Sequence, residues 1–417
     1  MNWKIGALII TLAAISIVFL YSYSNNTSYS NNTEPPADDS GATPAGIKSV
    51  INANNQFALD LYSELKEKEG NIFFSPYSIS VALAMTYEGA RGKTAEEMQS
   101  VFHFPEDNGA RRSSYAALYN KINNKNAEYQ LSTANALWIQ KDYRLLNNYT
   151  DTIQNYYGGK ATNVDFKVAT EDARKTINNW VEDKTNNKIK DLFSQGSLNS
   201  DTRLVLTNAI YFKGDWLKQF DVKETQQDDF RVSKDNVIQV PMMRRTDKGA
   251  TFNYTETKEL KILEMLYEGE ELSMLVLLPK DDLKSLEDSL SVENLTEWKK
   301  QLKEQRVNIF IPKFTLDTKY LLNENLIKMG MKSAFFDADF SGIDGSKSLY
   351  IDKVIHQAYV KVNEEGTEAA AATGVIVGVT SAELIHEFCA DHPFLVIIQE
   401  RDTGNILFLG RITNPGG

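Results

Sequence analysis

Apolar positions along this chain recur with two different periods. From Ile47 to Lys68, residues Val50, Phe57, Leu59, Leu61 and Leu65 fall at helical spacing, the recurrence that puts side chains on one face of a helix. Ser75 to Gly89 predicts a second helix with Pro76 in its first turn, where the missing N–H of proline is no loss. Thr94 and Glu97 have the spacing of a capping box and predict another helix start. Asp172 to Phe193 returns to helical spacing through Ile177, Trp180, Val181, Ile189 and Leu192. Farther on, apolar residues run together. Leu204–Phe212, Leu272–Leu278, Val307–Ile311, Val354–Val362, Phe394–Ile398 and Ile406–Leu409 are short β-rich runs, most of them followed by turn residues, and predict strands. The last two are joined through Asp402-Thr403-Gly404, a hairpin turn. Helices early and strands late predict an α+β fold. No internal repeat and no Pro- or Gly-rich linker interrupts residues 46–417, which read as one domain.

The first 45 residues differ from the rest. Lys4 precedes an apolar run from Ile5 to Tyr21. This is the pattern of an export segment, read over 1–21 as either a cleaved signal peptide or a retained anchor. With Lys4 inside, the remainder faces outward, so a secreted or cell-surface protein, membrane-tethered through residues 5–21 if the anchor stays, is expected. Residues 22–45, rich in Ser, Asn, Thr, Gly and Pro, read as a flexible tether because they carry too little apolar bulk to build a core. Asn-x-Ser/Thr triplets at Asn25, Asn26, Asn31, Asn148, Asn253 and Asn294 permit glycosylation.

Composition narrows the chemistry. The 417 residues hold 45 Lys+Arg against 56 Asp+Glu, a net charge of −11. Such a chain has no basic excess with which to displace counterions, so a nucleic-acid partner is not expected. The single cysteine, Cys389, excludes an internal disulfide and a cysteine-based zinc site, and reads as a small buried apolar residue. Gly89-Ala-Arg-Gly-Lys-Thr94 lacks the first glycine of a phosphate loop, His386-Glu387 lacks the second histidine of a zinc-protease helix, and no G-x-S-x-G elbow occurs.

One stretch carries a mechanism. After the strand ending at Val362 come Glu364-Glu365-Gly366 and the small residues 367–374. Every second residue from Thr367 (Ala369, Ala371, Thr373, Val375, Val377) is uncharged, whereas the alternate face carries Glu368. Side chains of a strand alternate between faces, so this segment reads as a latent strand with one face fit for burial.

The hinge 364–373 resembles the reactive-loop hinge of inhibitory serpins, and Phe388-Cys-Ala-Asp-His-Pro-Phe-Leu-Val-Ile-Ile398 matches the C-terminal signature of that family. Further similar segments follow in order: Asn71–Ser78, Thr207–Trp216, Val240–Met243, Ile311–Phe314 and Phe408–Pro415. The resemblance implies the serpin fold, with three β-sheets, eight or nine helices and an exposed reactive-centre loop. It implies a serine protease inhibitor acting as a suicide substrate. The target serine protease cleaves the loop, is held as a covalent acyl-enzyme, and the freed loop inserts into the central sheet. The chemistry is the protease's own, so no enzymatic activity and no cofactor are expected, and the chain is expected to be a monomer. Hinge roles fall on Glu364, Gly366, Thr367, Ala369, Ala371 and Thr373. Ser75, Ser78, Asn208 and His356 match positions beneath the opening sheet, and Trp216 marks where the loop first enters. The small-residue hinge argues against a non-inhibitory carrier or chaperone of the same fold and against a cell-surface structural protein. Counting forward from Gly366 puts the scissile bond at Thr380–Ser381, which we take, while counting back from Pro393 leaves Ala382–Glu383 open. Val377-Gly-Val379 suits an elastase-like or subtilisin-like pocket, and the lack of Arg or Lys between Gly366 and Pro393 argues against trypsin-like targets.

Overall fold

The structure, a computed structural model, describes residues 36–124, 127–367 and 385–416. Its helices are α1 (Pro44–Leu65), α2 (Pro76–Tyr87), α3 (Gly92–Phe102), α4 (Asn108–Ile122), α5 (Asn147–Tyr157), α6 (Thr170–Lys184), α7 (Leu283–Ser289), α8 (Val292–Lys300) and α9 (Asn323–Met329), with four-residue helices at Ser333–Phe336 and Ser341–Asp344. Its strands are β1 (Ile72–Phe74), β2 (Tyr129–Gln140), β3 (Lys160–Val164), β4 (Leu204–Asp215), β5 (Gln226–Ser233), β6 (Asn236–Arg245), β7 (Thr251–Glu256), β8 (Leu260–Leu266), β9 (Leu272–Pro279), β10 (Lys303–Pro312), β11 (Phe314–Leu321), β12 (Lys353–Val362), β13 (Gly366–Thr367), β14 (His386–Cys389), β15 (Phe394–Glu400) and β16 (Ile406–Ile412).

Six strands form a central sheet in the order β11-β12-β13-β4-β2-β3. The other ten form a network that divides at β10. The first part of β10, Lys303–Arg306, pairs with β7, whereas Ile309–Pro312 pairs with β6 and Val307–Phe310 with β14. Two sheets therefore share one long strand, and the central sheet makes a third. β4 is buried from Leu204 through Phe212, as a central strand covered on both faces must be. Its even-numbered apolar residues Leu204, Leu206, Ile210 and Phe212 face the main core. Val205 and Ala209 face a second, smaller core, with Trp138 and with Ile177 and Val181 of α6. Behind the sheet, α2 is buried from Pro76 through Thr86. Polar side chains on a helix buried on all sides mostly find partners inside the fold, although the buried Tyr77 hydroxyl has none among the described residues. Ser80 bonds Tyr115 Oη at 2.8 Å, and Thr86 Oγ1 donates to Ala82 O at 3.1 Å.

Several expectations need correction. The tether read over residues 22–45 does not reach 45. Ala37 is buried and exchanges 2.8 Å hydrogen bonds with the Asn120 amide through both its N–H and its C=O, and Thr43 caps α1. The Thr94–Glu97 pair is not a capping box, because α3 already begins at Gly92. Glu97 instead accepts from Ser333 N–H and Oγ, and Thr94 Oγ1 from Asp339 N–H. The helix expected over 172–193 stops at Lys184, since Asn186 and Asn187 turn to φ of 51° and 59°, a conformation asparagine tolerates. Ile189, Leu192 and Phe193 still reach the core, from a loop pinned by paired 2.9 Å bonds between Asn178 and the Phe193 backbone. The early strands β2 and β3 went unpredicted.

Candidate functional site

The site lies along the seam between β4 and β12. These strands pair in parallel from Lys353↔Val205 to Tyr359↔Tyr211, with His356 opposite Asn208. Above that level they part, and β13 lies between them. Thr367 pairs with Val362 on one side and Gly214 on the other, and Gly366 with Asp215. The chain therefore leaves β12, reverses at 363–365 and starts a new strand in the fork.

The reversal is held tightly. Asn363 Oδ1 accepts from the N–H of Glu365 and of Gly366, both at 3.1 Å. Trp216 N–H donates to Glu365 O and Phe220 N–H to Glu364 O, both at 2.8 Å. The indole N–H of Trp216 reaches Asn363 O at 3.0 Å, and its ring stacks on Tyr267 at 4.5 Å. Gly366 approaches β4 so closely that a Cβ there would lie 2.2 Å from Gly214 O. Thr367 is fully buried, its hydroxyl 3.0 Å from Tyr267 Oη. The Glu364 carboxylate is buried against Lys313 Nζ at 2.8 Å and Thr225 Oγ1 at 2.7 Å. Burial works against its charge, yet Lys313 and Thr225 outweigh it and hold the carboxyl below its usual range.

Six residues down the seam, Ser75, Ser78, Asn208 and His356 come together, all buried. Ser75 caps α2 by accepting from Ser78 N–H at 3.2 Å, and its own N–H donates to His356 Nε2 at 3.1 Å. Nε2 is thus an acceptor, so the proton sits on Nδ1, which bonds Asn208 Oδ1. The Asn208 amide then donates to Ser78 Oγ at 2.6 Å and to Asn135 Oδ1, and Ser78 Oγ donates to Asn135 Oδ1 at 3.1 Å. Every donor and acceptor fits a neutral imidazole, and burial pushes the His356 pKa down to about 3. The His356–Asn208 bond ties β12 to β4 directly.

Sequence reasoning missed five of these residues, among them Asn363, which holds the reversal. Asn135 faces Asn208 across β2–β4, and its signal was a polar residue on the same face as the buried Leu131, Leu137 and Ile139. Lys313 stood inside a quoted motif without a role, whereas Tyr267 and Thr225 carried no signal. Ala369, Ala371, Thr373 and both scissile alternatives, Thr380–Ser381 and Ala382–Glu383, lie outside the described residues, as does the run 5–21. The far end of the loop returns in a different sheet, where β14 pairs with β10 and Lys261 Nζ donates to Glu387 O at 2.9 Å. Cys389 is half-buried there. Burial pushes its thiol up to about 11, so it is no ready nucleophile. Among the described residues, no cluster of three or more His, Cys, Asp or Glu side chains could hold a metal ion.

Gly366 and Thr367 thus lie as a short strand in a fork, above a seam where β4 and β12 are bonded directly. The comparisons agree with that geometry. The family model described as "Serpin (serine protease inhibitor)" matches residues 52–415. An uncharacterized serpin-like protein of Thermococcus kodakarensis is 44% identical over 373 residues, covering 88% of this chain and 86% of the relative. The human leukocyte elastase inhibitor is 42% identical over 381 residues, covering 88% of this chain and 100% of the relative. The crystal structure of uncleaved ovalbumin superposes with a TM-score of 0.79 at 32% identity, covering 88% of this chain and 100% of that one. By sequence and by fold, the chain belongs to the serpin family.

Proposed function

We propose that this chain inhibits serine proteases as a suicide substrate, with elastase-like or subtilisin-like enzymes as targets. The observation that carries the reading is the register of β13. Thr367 lies between Gly214 and Val362, and these two are each six residues above Asn208 and His356, which are themselves partners in the β4–β12 ladder. The started strand and the seam are thus in phase, and lengthening β13 requires the seam to widen but not to slide. Continued in this register, Ala369, Ala371, Thr373, Val375 and Val377 face Phe212, Ile210, Asn208, Leu206 and Leu204. Every one of those positions is apolar except Asn208, which meets the one hydroxyl of the series, Thr373.

In this reading the protease serine attacks the Thr380 carbonyl and the Ser381 amine leaves. The freed strand enters the seam while the ester persists. About fourteen residues at ~3.3 Å each carry the attached protease roughly 45 Å. New backbone hydrogen bonds on both sides of the entering strand, together with the buried small and apolar face, drive the movement. The 42% identity to a leukocyte elastase inhibitor and the absence of Arg and Lys from 367–392 support the choice of target class. We place this work outside the cytosol, secreted or at the cell surface, on the strength of the apolar run after Lys4.

The test is to mix the purified full chain with elastase-like and subtilisin-like proteases, run denaturing gels and sequence the released peptide by mass spectrometry. A complex that survives denaturation, with a peptide beginning at Ser381, is the expected result. Clean cleavage with no rise in melting temperature of the cut chain would refute the proposal and leave a non-inhibitory carrier of the same fold.

A further inference from the structure

We propose that a cavity beside β7 and β8 binds a small organic ammonium ion, with the buried Glu264 carboxylate as its counter-ion. The site lies outside the seam, and the proposal stands whether or not the chain inhibits proteases.

The cavity, of about 260 Å³, is lined by Phe252 of β7, by Glu264 and Leu266 of β8, and by Leu217, just past the end of β4. At ~30 Å³ per molecule it has room for roughly eight waters. Its wall is fixed, since Leu217 N–H donates to Leu266 O at 2.9 Å. Besides Glu264, four charged side chains line it, and they pair off. Lys218 meets Glu304 at 3.2 Å, and Arg401 meets Glu270 at 3.1 Å. Glu264 is different. It is only 6% exposed, and among the described residues it has no Lys, Arg or His within ion-pair distance. Its two oxygens accept from neutral donors, Ser273 Oγ and Asn253 Nδ2, both at 2.8 Å. Lys299 feels the Glu264 charge, but its ammonium bonds Gln399 Oε1 at 2.8 Å. The Gln399 amide in turn donates to Ser273 Oγ at 3.3 Å. Two neutral side chains therefore stand between this carboxylate and that ammonium.

A buried charge is disfavoured unless it is both hydrogen-bonded and paired. Glu264 meets the first condition and not the second. An ionised carboxylate has about four acceptor sites, so each oxygen can take a further donor. The rim pairs cancel, and the net negative charge of the lining rests on Glu264 alone, which selects a cation and repels an anion. Leu217, Phe252 and Leu266 give the rest of the cavity apolar walls, which suit a carbon stem better than a bare metal ion. Among the described residues no cluster of three or more His, Cys, Asp or Glu side chains could hold a metal there. An ammonium carries three donors on one small atom and leaves its stem free to lie against the apolar side chains. The ligand class is thus a primary amine on a short aliphatic or aromatic stem.

The experiment titrates the full chain with phenethylamine and, separately, with its uncharged analogue phenethyl alcohol, by calorimetry near neutral pH. The wild type should bind one amine per chain at least about tenfold more tightly than the alcohol, because charge-assisted hydrogen bonds are the stronger ones. Glu264→Gln keeps the size of the side chain and removes the charge. It should weaken the amine about tenfold or more and leave the alcohol nearly unchanged. Leu217→Phe adds bulk to the cavity wall and should weaken both. Hydrogen exchange locates the ligand, since the Leu217 N–H lies in the wall and should exchange more slowly with amine bound. Equal binding of amine and alcohol, no binding of either at millimolar concentration, or protection that leaves Leu217 unchanged would overturn the proposal. So would a Glu264→Gln chain that binds the amine as the wild type does. The comparison of amine with alcohol needs no variant, so it decides the matter even where a substitution fails to fold.

Discussion

At the level of Asn208 and His356, β4 and β12 are bonded to each other, backbone to backbone and side chain to side chain. Six residues higher the same two strands are held apart by Thr367, with hydrogen bonds on both sides of the wedge. In the lower region Ser75, Ser78, Asn208 and His356 bond one another and Asn135 within the fold. The upper region is complete only because the chain folds back into it. One seam thus has a directly bonded end and a forked end. In the proposed insertion, widening runs downward from Thr367 past the His356–Asn208 bond toward the Asp352 carboxylate, which accepts from the N–H groups of Arg203 and Leu204.

That contrast can be tested most severely at its upper end. Thr367→Arg puts a cation where the side chain is fully buried between two strands, against several kcal/mol of desolvation. The variant should be cleaved as a substrate, with stable complexes lost on denaturing gels. At the closed end, Asn208→Ala leaves His356, Ser78 and Asn135 without their shared partner, and a loss of about 2–4 kcal/mol in denaturant unfolding of the uncut chain is expected. A neutral effect there would mean that the network does not hold the seam. The same cluster predicts a pH signature. His356 folds with its pKa lowered to about 3 from 6.5, so the unfolded chain binds the proton first as pH falls. The stabilisation is full above pH 6.5 and is lost progressively between 6.5 and 3, amounting to about 2 kcal/mol near pH 5. His356→Gln should flatten that portion of the stability curve, and an unchanged slope would count against a neutral buried imidazole.

Smaller effects sharpen the upper end. Gly366→Ala forces a Cβ to within 2.2 Å of Gly214 O, which the backbone can relieve only by shifting. A destabilisation of about 1–3 kcal/mol is expected, with easier proteolysis of the hinge as its sign. Tyr267→Phe removes the one hydroxyl that meets Thr367 and should weaken the wedge by about 1 kcal/mol, read as faster hydrogen exchange at Gly366 and Thr367 and little change at Asn208.

Much of the architecture was legible beforehand because long apolar runs leave few choices. Leu204–Phe212 and Phe394–Ile398 are too continuous and too β-branched to be anything but central strands, and Pro76 after Ser75 announces a capped helix. The failures came where a residue had two possible partners. Thr94 and Glu97 suit a local cap, but distant Ser333 and Asp339 captured them. Ile189 and Leu192 keep helical spacing, but Asn186 and Asn187 turn the chain first. The charge-free alternation from Thr367 to Val377 reads in the sequence as a latent strand, of which Thr367 alone is among the described residues.

By itself, then, the sequence determined most of the strand and helix runs and an alternation with one uncharged face after Gly366, since these follow from residue type and local spacing. Only the tertiary structure decided that Gly366 and Thr367 lie as a strand between β4 and β12, that this strand is in phase with the His356–Asn208 pair, and that Asn135, Tyr267, Lys313 and Thr225 share in holding the site. Register between strands distant in the chain, and which polar group finds which partner in the core, depend on how the whole sheet assembles, and no local pattern encodes them.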